Sequence, residues 1–283
     1  MKWPPPADWP MRDASRHIMC KPHRWHVQDA GDGPLILLLH GAGGATHSWR
    51  GLFPLLTPDH RVIAVDQPGQ GFTRAGTRGR RSLADTATDL IALCRQEGWV
   101  PDLIVGHSAG AALALQMARA GLSPRHGVVG INAALAPFGG AAGLLFPLMA
   151  RAMAAAPLTA RLFAATTTAQ RIDRLLSGTG SVVPPEGRRD YLALASDTDH
   201  VDGTLSMMAQ WALDDLADHL SEVAVPVLLL TASNDRAVPP ATSIAAANRM
   251  PQGHHRDIGP LGHLAHEMDP TLLASLIRER LIA

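Results

Sequence analysis

Apolar residues occur along the chain in short continuous runs, and most runs are followed by a segment with helical periodicity. Such runs are typical of strands that are buried on both faces of a sheet. The predicted strands are residues 25–28, 35–39, 61–66, 103–105, 127–132, 225–231 and 255–258. The predicted helices are residues 46–56 and 82–97, one that ends near Ala120, one at about 241–249, and one that begins at Pro270. This alternation predicts an α/β fold with a mostly parallel sheet covered by helices.

Two parts of the chain depart from this alternation. Residues 1–24 are rich in proline, tryptophan and charge, which predicts an extended arm. Residues 134 to about 220 are rich in alanine and methionine, and breaks such as Gly178-Thr179-Gly180 separate several helix-like runs. We therefore expect a core built from residues 1–133 and 221–283, with residues 134–220 inserted between them as a helical lid.

Composition narrows the class of partner. The chain has 283 residues, of which 46% are hydrophobic, and its 25 Lys and Arg residues balance 25 Asp and Glu residues. Because no net charge favours nucleic acid or an anionic membrane, we expect a small molecule or a protein as partner. The two cysteines, Cys20 and Cys94, are too few for a disulfide framework, which indicates a reducing compartment and favours the cytoplasm. No apolar run reaches the roughly 20 residues of a membrane span, and the N-terminus lacks the apolar stretch of a signal peptide.

The strongest chemical signal is Gly106-His107-Ser108-Ala109-Gly110, which follows a buried strand and leads into a helix. Gly-x-Ser-x-Gly at such a junction is the pattern of a nucleophile elbow. Its glycines allow a turn sharp enough to expose the serine hydroxyl above the sheet. Ser108 is therefore the candidate nucleophile.

A serine hydroxyl needs a base to take its proton and an acid to orient that base. In folds with such an elbow, the acid follows a late strand and the histidine follows the last one. Asp235 comes three residues beyond the strand that ends near Ala232, and His263 follows the final predicted strand. The order and spacing predict a triad of Ser108, His263 and Asp235.

Two backbone N–H groups are expected to stabilise the oxyanion that forms during acyl transfer. One belongs to Ala109, the residue after the nucleophile. The other belongs to the glycine loop after the strand at 35–39, with Ala42 as the first candidate and Gly43 as the adjacent one.

Other polar residues are weaker candidates for chemistry. Asp66 ends a strand and could be the acid of a triad, but the proline and glycines of its turn indicate a structural role. Asn132 also lies at a strand end, but it carries no charge and so cannot be that acid. A metal site at His263-x-x-His266 lacks a convergent third ligand, so we expect neither a metal nor a cofactor. The histidines that neighbour these candidates in sequence are His40, His107, His254 and His255. His40 and His107 are expected to support loops through hydrogen bonds.

A substrate pocket is expected where the inserted helices cover Ser108. Its candidate residues are Gly43, His107, Met207, Met208 and Trp211. The methionines of the insertion, which include Met149 and Met153, are packing residues first, and some could also line a pocket for a flat apolar ligand. The basic loop of Arg74, Arg78, Arg80 and Arg81 is interpreted as solvated surface, with pairing to substrate carboxylates or a protein partner as the alternative.

Across nearly its whole length the chain resembles the α/β-hydrolase superfamily. The matching residues are His40-Gly41-Ala42-Gly43, Asp66-Gln67-Pro68-Gly69-Gln70-Gly71, Gly106-His107-Ser108-Ala109-Gly110, Asp235 and Gly262-His263. Gln70 departs from the superfamily, in which many members carry histidine at this place in the turn. More narrowly, the chain resembles the BchO-type magnesium-chelatase accessory proteins of bacteriochlorophyll synthesis. The strings that carry this resemblance include Thr46-His47-Ser48-Trp49-Arg50, Asn132-Ala133-Ala134-Leu135-Ala136-Pro137-Phe138-Gly139-Gly140, Met207-Met208-Ala209-Gln210-Trp211 and Gly262-His263-Leu264-Ala265-His266-Glu267.

These residues together predict a serine hydrolase of the ester type. The narrower resemblance implies a role in magnesium insertion into protoporphyrin, with a tetrapyrrole or a magnesium-chelatase subunit as partner. Two alternatives stay open. One is a porphyrin-binding or chaperone-like accessory to the chelatase that does not catalyse, and the other is a C–C bond hydrolase, which shares this fold and triad.

Overall fold

Eight strands form one sheet in the part of the chain that the computed structural model describes, residues 1–136 and 158–282. The strands are β1 (Ser15–Cys20), β2 (His23–Ala30), β3 (Leu35–Leu39), β4 (Arg61–Val65), β5 (Leu103–His107), β6 (Val128–Ile131), β7 (Val227–Thr231) and β8 (Gly253–Asp257). Their order in the sheet is β1-β2-β4-β3-β5-β6-β7-β8. The two contacts of β2 are antiparallel and all others are parallel. The predicted α/β class is confirmed.

Helices cover both faces of this sheet. Within the described residues they are α1 (Phe53–Leu56), α2 (Leu83–Glu97), α3 (Ala109–Arg119), α4 (Thr159–Thr166), α5 (Ala169–Gly178), α6 (Pro185–Ala195), α7 (Thr198–Gln210), α8 (Asp214–Asp218), α9 (Pro240–Ala247), α10 (Ala265–Met268) and α11 (Pro270–Ile282). Short 3₁₀ helices occupy Arg12–Ala14, Thr46–Trp49 and Leu220–Glu222. Helices α4 to α8 lie between β6 and β7 in the chain. Met149, Met153 and the predicted string at 137–140 lie outside the described residues.

Alternation along the central strands divides the core into two layers. On β3, Leu37 and Leu39 pack with α2, α3 and α9, whereas Ile36 and Leu38 pack with α1 and α11. All four side chains are fully buried. Because both faces are covered, every position of this strand is apolar, which is why its sequence is a continuous run.

Two sequence predictions differ from the structure. Within the predicted arm, Ser15–Cys20 forms strand β1, which pairs antiparallel with β2 at the edge of the sheet. An edge strand is only partly covered, so it lacks the apolar run by which buried strands are identified. The predicted helix at 46–56 is instead the 3₁₀ helix Thr46–Trp49 followed by the four-residue α1. Gly51 and Pro54 account for the break, since glycine and proline are the weakest helix formers.

Candidate active site

Ser108 lies at the sharp turn between β5 and α3. Its backbone has φ 52° and ψ −116°, a strained conformation for a residue other than glycine. The turn is held because the Ser108 N–H donates to the Ile131 carbonyl at 3.0 Å and the Ser108 carbonyl accepts from the Ala134 N–H at 3.2 Å. A Cβ at Gly110 would overlap the carbonyl oxygen of Leu39, so this position requires glycine. The geometry is that of a nucleophile elbow.

His263 and Asp235, on the loops that follow β8 and β7, are in direct contact. His263 Nδ1 donates to Asp235 Oδ2 at 2.8 Å, and both side chains are buried. The other carboxylate oxygen of Asp235 accepts from the N–H groups of Ala237 at 2.7 Å and Val238 at 2.9 Å. With its proton on Nδ1, His263 keeps Nε2 as the nitrogen that can accept a proton. His263 and Ser108 line the same cavity.

In the glycine loop after β3, some backbone N–H groups are hydrogen-bonded within the described part of the chain and others are free there. The Gly43 N–H donates to Gln70 Oε1 at 2.8 Å. Within residues 1–136 and 158–282, the N–H groups of Ala42 and Ala109 have no protein acceptor. Ala109 is also the first residue of α3, where the helix dipole favours negative charge. This arrangement favours Ala42 over Gly43 as the partner of Ala109 in an oxyanion hole.

Asn132 follows β6 and connects the loops that carry Asp235 and His263. Its Nδ2 donates to the carbonyl of His263 at 2.8 Å, and its Oδ1 accepts from the Ala232 N–H at 2.9 Å. His107 Nε2 donates to the same His263 carbonyl at 2.9 Å. The sequence identified Asn132 only as an uncharged position at a strand end. Its side-chain contacts join residues 100 or more positions apart, so no local pattern reveals them.

The turn between α5 and α6 supports the same two loops from the side of the insertion. The Thr179 carbonyl accepts from the N–H groups of His263 and Arg236, both at 3.2 Å. Ser181 Oγ accepts from the Leu264 N–H at 2.9 Å and lies 2.8 Å from the Thr179 hydroxyl oxygen, whose proton is donated to the Leu176 carbonyl. Residues 179–181 therefore contact both the loop that carries Asp235, called here the acid loop, and the loop that carries His263, called the histidine loop.

Helix α7 contacts the turn at 66–71 and the glycine loop. His200 Nδ1 accepts from the Gly71 N–H at 2.9 Å, and its Nε2 donates to the Gly43 carbonyl at 3.2 Å. A Cβ at Gly203 would overlap the carbonyl oxygen of Gly69, so two backbones meet here with no side chain between them. Burial lowers the pKa of His200 to about 4, which keeps its imidazole neutral at physiological pH.

The cavity above Ser108 has a volume of about 480 Å³. Of the five candidate pocket residues, Gly43, His107 and Met208 line this cavity. Met207 and Trp211 do not belong to its wall: Met207 is buried with its sulfur accepting from Gln70 Nε2 at 3.3 Å, and Trp211 packs against the α2–α3 side of the core. Met208 points into the cavity, whereas the side chains of Met207 and Trp211 point elsewhere.

Asp66 and His40 have structural partners. Asp66 is fully buried and accepts from His26 Nδ1 at 2.6 Å, from the Thr46 N–H at 2.7 Å and from the Phe72 N–H at 2.8 Å. Burial alone would raise the pKa of Asp66, but His26 and these donors hold it well below its usual value. His40 Nε2 accepts from the Gln67 N–H at 3.0 Å. Both side chains fix the loops around the site.

The basic loop is paired with acidic residues of neighbouring helices. Arg80 contacts Asp89 of α2 at 2.8 Å, and Arg81 lies 3.6 Å from Asp202 of α7. Arg78 contacts Asp202 at 2.6 Å. These ion pairs attach the loop to the body of the protein.

The described ranges contain neither a cluster that could hold a metal nor a helix that could span a membrane. Among residues 1–136 and 158–282, no group of three or more His, Cys, Asp or Glu side chains could hold a metal ion. His266 is buried with its ring 4.4 Å from that of His107 and 4.6 Å from that of Trp49. No helix in the same ranges is long and apolar enough to cross a membrane.

Comparison with known proteins finds a relative that is similar over nearly the whole chain. The chain is 46% identical over 277 residues to the magnesium-chelatase 30 kDa subunit of Rhodobacter capsulatus, and the alignment covers 96% of each chain. A family model described as the alpha/beta hydrolase fold matches residues 34–270.

Solved structures share the same architecture at low sequence identity. An alpha/beta hydrolase fold protein from Burkholderia ambifaria has a TM-score of 0.77 at 20% identity, covering 94% of this chain and 98% of that one. The epoxide hydrolase CorEH has a TM-score of 0.76 at 18% identity, covering 95% and 98%. At these identities the likeness concerns the fold alone. Taken with the family model and the similar relative, it shows that the chain belongs to the α/β-hydrolase family and, within it, to the family of the magnesium-chelatase 30 kDa subunit.

Proposed function

We propose that the protein is a serine hydrolase of the ester type, with Ser108 as nucleophile, His263 as base and Asp235 as the orienting acid. The observation that carries this proposal is the hydrogen bond of 2.8 Å from His263 to Asp235 in a cavity that Ser108 also lines. The hydrolase family to which the chain belongs supports hydrolysis as the general chemistry.

In this mechanism His263 Nε2 takes the proton of Ser108 Oγ as that oxygen attacks the ester carbonyl. The resulting imidazolium is stabilised by the Asp235 carboxylate, which three donors hold in place. The N–H groups of Ala42 and Ala109 stabilise the oxyanion, and His263 then donates its proton to the leaving alcohol. Water attacks the acyl-enzyme by the same steps and restores Ser108. Residues 134–220 act in this proposal as a lid over the cavity.

The biological setting is inferred from the similar relative. Its name is that of a magnesium-chelatase subunit, so we place this chain beside magnesium chelatase in porphyrin metabolism, in the cytoplasm. A chelatase subunit would be its protein partner, and a tetrapyrrole would be its small-molecule partner.

Substitution of Ser108 by alanine tests the proposal. We expect Ser108→Ala to lower kcat for p-nitrophenyl esters by at least about 10⁴-fold, with the thermal unfolding midpoint unchanged. The matched control is Ser233→Ala, which alters an exposed serine near the acid loop and should keep full activity. Unchanged turnover in Ser108→Ala would remove Ser108 from the mechanism.

A second candidate function is a non-catalytic accessory of the chelatase, and the name of the similar relative favours it. Complementation separates the two functions. If catalysis is required, a strain that lacks this gene regains pigment with wild-type protein but not with Ser108→Ala. If Ser108→Ala restores pigment fully, the protein acts by binding.

A further inference from the structure

The described residues in the wall of the cavity above Ser108 include no side chain with a formal charge. Among its described residues there is no Lys, Arg, Asp or Glu side chain. The apolar part of this wall comes mainly from α4, α5 and α7: Phe163, Ile172, Leu175, Leu176, Val201 and Leu205. A ligand group that fills this space exchanges water for hydrocarbon and aromatic surface.

The histidines of the wall do not supply a cation either. His200 is buried, and both of its ring nitrogens are used, one by Gly71 and one by Gly43. Burial also holds the pKa of His107 well below its ordinary value, with the neighbouring His266 and His263 acting in the same direction. The imidazolium that forms on His263 during the reaction is compensated by Asp235.

The charges directly behind the wall do not favour an anion. Tyr191, which lines the cavity, donates its hydroxyl to Glu267 at 2.6 Å. The guanidinium behind it, that of Arg50, is bound to Asp190 at 2.9 Å. The basic loop is likewise paired with Asp89 and Asp202. A carboxylate placed in the cavity would therefore lose its hydration without gaining a cationic partner from residues 1–136 or 158–282.

We propose that this site takes esters whose group in the cavity is apolar and uncharged, and that it excludes groups bearing a free carboxylate. This inference rests on the proposed function and names its substrate class. For a tetrapyrrole, it follows that a carboxyl side chain in the cavity is esterified, and that any free propionate lies outside the cavity.

Two esters of equal chain length test the inference. p-Nitrophenyl octanoate and mono-p-nitrophenyl suberate present the same eight-carbon chain, but the second ends in a carboxylate. We expect kcat/KM to favour the octanoate by at least about 100-fold, because the suberate must bury an unpaired charge. Equal values for the two esters would overturn the inference while leaving the hydrolase function intact.

Matched variants at one position locate the effect in the cavity. Leu175 lines the cavity and is 59% exposed, so a polar side chain can be accommodated there without disturbing the core. Leu175→Arg should reduce the preference for octanoate by about 10-fold or more, because it supplies a partner for the carboxylate. Leu175→Gln, which is polar but uncharged, should not. If both variants reduce the preference equally, charge is not the cause.

Binding separates a failure of this inference from a failure of the proposed function. If neither ester is hydrolysed, the hydrolase proposal fails. Calorimetric titration of Ser108→Ala with methyl octanoate and with monomethyl suberate, which carries a carboxylate at the far end of the same chain, then decides the inference. Tighter binding of methyl octanoate by about 10-fold or more supports it, and equal or tighter binding of monomethyl suberate overturns it.

Discussion

Gln70 shows how one side chain can determine which N–H groups of a loop stay free. Its carboxamide oxygen accepts from the Gly43 N–H, and its nitrogen donates to the sulfur of Met207. With Gly43 held in this way, the adjacent Ala42 N–H has no acceptor among the described residues. The position where many superfamily members carry histidine thus has a direct contact with the proposed oxyanion loop.

Loss of the Gln70 side chain should reduce the rate of the chemical step. We expect Gln70→Ala to lower kcat for p-nitrophenyl octanoate by about 10- to 100-fold with little change in KM, because a displaced oxyanion donor acts mainly in the transition state. Met207→Leu, which removes the second contact of Gln70 but leaves the bond to Gly43, is the control and should stay near wild type. A fall in kcat of equal size in both variants would contradict this role.

At the residue scale, the sequence identifies the candidate site residues that follow a local pattern, such as a fixed distance from the end of a strand. Asp235 and His263 were identified by their distance from a strand end, and the structure places them in contact. Gln70 instead bonds to Gly43, which is 27 positions away. Asn132 and His107 both bond to the carbonyl of His263, which is 131 and 156 positions away. Such contacts depend on how the elements pack, which a single sequence does not encode in any short window.

At the scale of elements, the turn between α5 and α6 is more than a connection. The sequence identified Gly178-Thr179-Gly180 only as a break between helices. In the structure, the Thr179 carbonyl and the Ser181 hydroxyl accept three hydrogen bonds from backbone N–H groups of the acid and histidine loops. The insertion therefore supplies part of the support for the proposed triad.

Removal of the Ser181 hydroxyl tests this support. Ser181→Ala leaves the Leu264 N–H without its acceptor, so we expect the free energy of unfolding to fall by about 1–3 kcal/mol. We also expect kcat to fall while KM changes little, because the histidine loop loses a fixed contact. Urea denaturation and ester kinetics measure the two effects.

The control for this prediction is Ser177→Ala, in which the exposed serine of α5 bonds only to a carbonyl within its own helix. It should leave both quantities within error of wild type. If Ser181→Ala loses stability but keeps its full kcat, the turn has a structural role only.

Strands that are buried along their whole length are easier to predict from the sequence than elements in which buried and exposed residues are mixed. Strands β3 and β5 are buried along their whole length, so their apolar runs are complete. Strand β1 is half-exposed, and the segment at 46–56 combines a 3₁₀ turn with a short helix, so neither has a clear period.

At the scale of the whole molecule, buried titratable groups make stability depend on pH. Burial raises the pKa of Glu267 from 4.5 to about 7, although Tyr191 and Arg50 act in the opposite direction. The folded state thus holds this proton more tightly than the unfolded state does. The resulting stabilisation is complete below pH 4.5 and is lost as the pH rises through about 7.

Glu267→Gln should remove this dependence while its side-chain oxygen still accepts from Tyr191. We expect the variant to be more stable than wild type by up to about 3 kcal/mol near pH 8.5, and by less than about 1 kcal/mol near pH 5. Urea unfolding at the two pH values measures the difference. Glu279→Gln, at a side chain that is 65% exposed, is the control and should show no such change. An equal effect of Glu267→Gln at both pH values would contradict the assignment.

The backbone contact between Gly203 and Gly69 has a consequence for protein engineering. Inserted segments of a common fold are attractive as cassettes that could be exchanged between enzymes to transfer specificity. Here α7 meets the 66–71 turn without an intervening side chain, and residues 179–181 are bonded to the loops of Asp235 and His263. A chimera that receives only the inserted helices would lose these matched surfaces, so a working transplant has to carry the 66–71 turn and both loops with it.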